Sequence, residues 1–136
     1  MNCQLFIFEK LYFMKKEYID FICSIHGFLI RIKEIHWNTT SNAEHLLCDE
    51  IQDDFIKCED DFTECCMGIE GKHFQIGKLL PLLPNSESLV PLLKEIEKDI
   101  LDMKKKCNDT TESGLHNVLD DMMQCVNKYK YRATQK

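Results

Sequence analysis

The chain has 136 residues, 44% hydrophobic and 29% charged, with a formal net charge of -6. That length fits one domain able to bury a core without disulfide or metal staples, and the composition is globular with a helical leaning, not disordered. The negative charge argues against a general nucleic-acid footprint, which needs a cationic face; Lys104, Lys105 and Lys106 and the tail KYKYRATQK are basic, but read as macrodipole partners and solvated tail.

Residues 1–13, MNCQLFIFEKLYF, are apolar, but Glu9 and Lys10 stand where a signal peptide keeps its apolar core, and no small-residue cleavage site follows. Residues 1–15 read as an N-terminal arm, with Met14 as an alternative start, and no stretch approaches a membrane span. The eight cysteines show no Cys-x-x-Cys pair or zinc-finger spacing and fall mostly at helical core positions. They read as small buried residues of a protein in a reducing cytoplasm.

From Lys16 to about His36, Tyr18, Ile22, Ile25, Leu29 and Ile32 recur at three and four, and His36 continues that series. After the turn NTTSN, a second helix is expected from about Asn42 to Met67, ending at Gly68, with the stripe Leu47, Ile51, Phe55, Cys58, Phe62 and Cys65. His45, Asp49, Asp53, Asp60 and Glu64 fall on the side away from that stripe. GIEGKHFQIGKLLPLLPNSES is a long connection whose LLPLL core must pack on something.

A third helix is expected from about Leu89, capped by Ser86 or Ser88, with Leu92, Leu93, Ile96, Ile100 and Met103 inward. DTTE reads as a capping signature, Asp109 accepting from the first turn, for a fourth helix with Leu115, Val118, Leu119, Met122, Val126 and Tyr129 inward. Short links at 1–2 and 3–4 with a long link at 2–3 predict an all-α, ferritin-like four-helix bundle over residues 16–131, followed by a tail.

Between Asp49 and Glu64 eight residues are acidic and only Lys57 is basic. A solvated face is the ordinary reading of such a run. Taken singly, His36 reads as a core histidine bonded to a carbonyl and His45 as a first-turn surface histidine. Trp37 reads as a packing residue, and Asp60 with Glu64 as a solvated pair. Together they offer nitrogen and carboxylate ligands that suit iron, zinc or manganese. The Glu-x-x-His pairs of a within-chain di-iron bundle are lacking: the single case, Glu70 with His73, lies in the glycine-rich connection. A site shared between two chains is the alternative.

These residues resemble a family. HW at the end of helix one, a histidine early in helix two, then an aspartate fifteen and a glutamate nineteen residues further on look like Dps, the DNA-protecting mini-ferritins. HWNTTSNAEH is also similar to the HWxTxSxAEH of small Dps-like proteins of phages and bacteria. The resemblance implies iron bound by His36 and His45 of one subunit and Asp60 and Glu64 of its dimer partner, with Asp49 as a further acidic position. It also implies oxidation of ferrous iron by peroxide or oxygen, Trp37 quenching stray oxidant, and assembly into a homodimer or larger shell. It covers roughly residues 16–68 well and the last two helices only by pattern. The HW-to-His loop is shorter than usual and no lysine-rich tail appears, which makes DNA binding doubtful. The alternative function is a metal-free or zinc-holding helical bundle that serves assembly or protein binding.

Overall fold

The computed structural model describes residues 14–73 and 80–135. Most of the proposed N-terminal arm, residues 1–13, therefore lies outside the described residues. Four helices and no strand are found among them: α1 (Lys16–Asn38), α2 (Asn42–Glu70), α3 (Leu89–Lys106) and α4 (Ser113–Arg132). Each buries most of the stripe its spacing predicts, with Cys65 and Val118 only partly buried, and the stripes merge into one core.

The register of α1 against α2 is set by aromatic pairs. Phe28 meets Phe55 at 4.7 Å between ring centroids and Phe21 meets Phe62 at 4.8 Å, so the two helices run antiparallel. Burying large rings of this kind stabilises by roughly 2–3 kcal/mol each, before the entropy cost of ordering them. α4 lies antiparallel to α2 and to α3, which leaves α1 and α4 diagonally opposed. The described end of the 2–3 link runs along α1: Leu82 N–H donates to the Cys23 carbonyl at 3.0 Å, and further on Arg31 Nε donates to the Pro84 carbonyl at 3.2 Å. Gly27 makes that approach possible, since a Cβ there would come within 1.7 Å of the Leu82 carbonyl oxygen.

Three sequence expectations need correction. Helix α2 does not end at Gly68; it continues to Glu70 and closes at Gly71, whose φ of 66° is the left-handed conformation a C-terminal glycine supplies. Within α2, Cys66, four residues after Phe62, is the buried cysteine and Cys65 lies at the core's margin. At α3, Ser88 occupies the N-cap position without a side-chain bond; Glu95 instead reaches back to Asn85 N–H and to Ser86. Asp109 does not cap α4. Asn108 Oδ1 accepts from Thr110 and Thr111, and Glu112 folds back to accept from Asn108 N–H at 2.8 Å, so DTTE forms a turn ahead of the helix. Among the described residues, no helix is long and apolar enough to cross a membrane.

Candidate metal centre

The turn between α1 and α2 is only three residues long, and both helix ends are closed locally. Thr39 N–H donates to the Ile35 carbonyl, and Ser41 Oγ accepts from Glu44 N–H. This places His36, in the last turn of α1, against His45, in the first turns of α2. Their rings stack at 3.8 Å with 23° between planes. Each then serves the other's backbone: His36 Nδ1 lies 3.1 Å from the His45 carbonyl oxygen and His45 Nδ1 lies 3.0 Å from that of His36. The His36 carbonyl is one of the acceptors that a helix end leaves without an intrahelical partner, so the ring of His45 fills a real vacancy.

These bonds fix the chemistry of the rings. A carbonyl only accepts, so each Nδ1 is the donor and each Nε2 stands outside these two bonds. Asp49, one turn beyond His45, brings Oδ1 to 3.4 Å from His36 Nδ1, and ligand atoms of all three residues lie within 4.8 Å of one another. The His36 side chain is 14% exposed and that of Asp49 53%, so the cluster is held from below and open above. Two imidazole nitrogens and a carboxylate suit iron, zinc or manganese, and a backbone carbonyl on the second ring nitrogen is the usual orienting partner of a metal-bound histidine. The donor set therefore fits a transition-metal ion.

Asp60 and Glu64 are not drawn into this cluster. They lie on the exposed side of α2, fifteen and nineteen residues beyond His45, which at 1.5 Å per residue is about 22 and 28 Å along the axis. No rotamer spans that gap within one chain. Around the helix the separation is small: His45, Ile56, Asp49 and Asp60 fall within about 60° of one another at 100° per residue. Trp37 is not the packing residue its position suggests. It is 69% exposed and lines an apolar groove of about 410 Å³ with Leu29, Ile30, Ile56 and Pro81. Beside that groove His26 Nδ1 meets Glu59 at 2.9 Å, a pairing across 33 positions that sequence spacing does not signal.

Residues 36–133 match a family of unknown function, DUF5856. The chain belongs to this family. The match begins at His36 itself and takes in Trp37, His45, Asp49, Asp60 and Glu64, so the DUF5856 region holds every candidate ligand. No curated protein and no solved structure matches the chain.

Proposed function

We propose that this DUF5856 protein is a Dps-like iron-binding protein that oxidises ferrous iron at a site shared between two copies of the chain. The observation that carries the reading is the pair of imidazoles locked by each other's carbonyls through Nδ1, with Nε2 of each ring outside those bonds and Asp49 close to His36. His36 and His45 would hold the ion, with Asp49 assisting. Asp60 and Glu64 would come from the partner.

Two features support the second copy. The apolar groove bearing Trp37, Ile30 and Ile56 leaves large hydrophobic side chains exposed on the α1–α2 face. The midpoint of α2 between His45 and the Asp60–Glu64 pair falls within one turn of Ile56, and a two-fold axis there would set one chain's histidines against the other's carboxylates. Ferrous iron is the substrate: two ferrous ions, one hydrogen peroxide and two protons give two ferric ions and two waters. Oxygen is the alternative oxidant. Trp37 would intercept oxidant that escapes. Cys48, Cys58, Cys65, Cys66, Cys107 and Cys125 form no disulfide, as a reducing compartment would keep them.

The test combines solution mass with turnover. A dimer or larger species should consume peroxide only when ferrous iron is present, and His36→Ala and Asp60→Ala should each abolish this. A monomer, or an Asp60→Ala variant with unchanged turnover, would overturn the shared site. A second reading, a metal-free or zinc-holding bundle used for assembly, is favoured by the same apolar groove and by the structural work the two rings already do in closing the turn. It predicts oligomers with no turnover.

A further inference from the structure

Helix α2 carries a row of buried oxygens with nothing to bond. Among the described residues, Gln52 Oε1, Glu59 Oε2, Thr63 Oγ1 and Glu70 Oε1 are buried and lack a hydrogen-bond partner. All four belong to α2, and at 100° per residue they fall within about 40° of one another around it. His26 Nδ1 stands 2.9 Å from Glu59 Oε2, but in a geometry that makes no hydrogen bond. Buried polar atoms are normally bonded, so a row of unmet ones marks a seam whose donors come from outside the chain.

Two of the four, Gln52 and Glu59, line the apolar groove of Ile30, Trp37 and Ile56, and so does Lys33 of α1. Lys33 is in no ion pair among the described residues. It does not reach Glu59 of its own chain. The ring pairs Phe28–Phe55 and Phe21–Phe62 put Lys33 level with Glu50, which is nine residues, or about 14 Å, from Glu59 along α2.

We infer that a second copy of this chain seats on the groove in antiparallel register, keyed by two symmetric ion pairs, Lys33 with the partner's Glu59, and by a contact between the two Gln52 amides. The occupant must bring a cation opposite Glu59, an anion opposite Lys33 and an amide opposite Gln52. This same face, turned about a two-fold axis, carries that set in that order. An axis that joins Lys33 to the partner's Glu59 crosses α2 midway between Glu50 and Glu59, between Asp54 and Phe55. The axis that sets His45 against the partner's Asp60 and Glu64 crosses between Asp53 and Asp54. The two positions come from different residues and differ by only about 1.5 Å. Gln52 lies close to both, so its amide N–H donates to Oε1 of its own copy and accepts in return. The same register carries Glu70 level with the partner's Thr39 and the partner's Thr40, whose hydroxyls are donors. Ile30, Trp37 and Ile56 leave water in the same step, and the long lysine stem crosses their apolar surface to the carboxylate.

The test uses the full chain and reads self-association by sedimentation equilibrium, with native mass spectrometry for composition. Lys33→Glu and Glu59→Lys each put two like-charge contacts across the axis, and each should weaken the dimer by on the order of 100-fold. Mixing the two single variants should restore a dimer with one chain of each kind, because both contacts of the mixed pair are again opposite in charge. A pairing within one chain would not give that result. Lys98→Glu, exposed on α3, should leave the dimer unchanged. Single variants that dimerise as wild type does, or folded single variants whose mixture stays monomeric, overturn the pairing. Should Glu59→Lys fail to fold by circular dichroism, Glu59→Gln takes its place: added to Lys33→Glu it lifts the repulsion and should recover about tenfold, and no recovery equally overturns the pairing.

The inference rests on the shared-site reading for the existence of a dimer, yet the two fail separately. A dimer indifferent to these charge reversals loses the pairing and leaves the shared site standing. A dimer that obeys them, while Asp60→Ala turns over unchanged, loses the shared site and keeps the pairing. A wild-type chain that stays monomeric overturns both.

Discussion

Glu112 and the His36–His45 pair sit at opposite ends of the bundle, and their hydrogen bonds are closed to different degrees. Glu112 is buried, and both of its oxygens are used. Oε1 accepts from Asn108 N–H at 2.8 Å, while Oε2 accepts from the Tyr18 hydroxyl and lies 3.6 Å from the Lys15 ammonium. Nothing is left over for a ligand. The histidine pair spends one nitrogen of each ring on a carbonyl and keeps the other, beside a carboxylate that is half in solvent. The first cluster ties α1 to the turn before α4; the second also ties two helices but retains ligating capacity.

If that contrast is right, the largest stability loss belongs to the closed cluster. Glu112→Ala strands a buried hydroxyl and a backbone N–H, and should cost about 3 kcal/mol in urea denaturation, against about 1 kcal/mol for Glu112→Gln, which can still accept. A loss under about 0.5 kcal/mol in the alanine variant would erase the distinction between the two ends.

The same residue makes a pH prediction. Burial alone would raise the Glu112 carboxyl, but the Asn108 N–H, the Tyr18 hydroxyl and Lys15 outweigh it and hold it below its ordinary value. A carboxyl depressed in the folded state stabilises fully above its unfolded value, about 4.3, and that contribution is lost as pH falls through the lower folded value. Wild type and Glu112→Gln should therefore differ in stability at neutral pH and converge in acid below that window. Curves that stay parallel through it would show that Glu112 is not the titrating group.

Next in size is His36→Ala. It removes the ring stack and the bond from the His36 ring to the His45 carbonyl, while the His45 ring keeps the carbonyl of residue 36, at a site water can reach, so about 1 kcal/mol is expected. Its effect on metal should be far greater than on folding, exceeding the roughly 10–100-fold that loss of an orienting partner alone costs. Anaerobic ferrous binding measured beside denaturation separates the two. Equal, modest effects on both would place the pair with Glu112 as structure only.

Much of this was legible in the sequence, for a physical reason: helical spacing of Tyr18 to Ile32, Leu47 to Phe62, and Leu115 to Tyr129 marks the faces that must leave water. The sequence also put His36 at the inner edge of α1 and His45 beyond a short turn, so their meeting follows from chain connectivity. What it did not signal was tertiary. Reciprocal ring–carbonyl bonds depend on the angle at which α1 enters α2, and Gly27 is explained only by Leu82, fifty-five residues on, whose backbone presses on it. DTTE reads as a capping signature with Asp109 as the cap, since the pattern D-x-x-E does not distinguish a glutamate that completes a capping box from one that folds back to its own turn.

The smallest folding effect, and the sharpest use of the comparison, is Asp49→Asn. The side chain is half exposed and its one polar neighbour, His36 Nδ1, already has a carbonyl, so stability should stay within about 0.5 kcal/mol of wild type. Asparagine keeps the shape but removes the charge that complements a cation, so ferrous affinity should still fall. Thermal shift reads this directly: an ion at 100 times its Kd stabilises the native state by about 2.7 kcal/mol, and a tenfold weaker variant at the same concentration gains only about 1.4 kcal/mol. Glu112→Gln should show the reverse pattern, with lower stability and an unchanged gain from metal. Were Asp49→Asn to keep the full gain, the carboxylate would be no ligand, and the centre would reduce to two imidazole nitrogens.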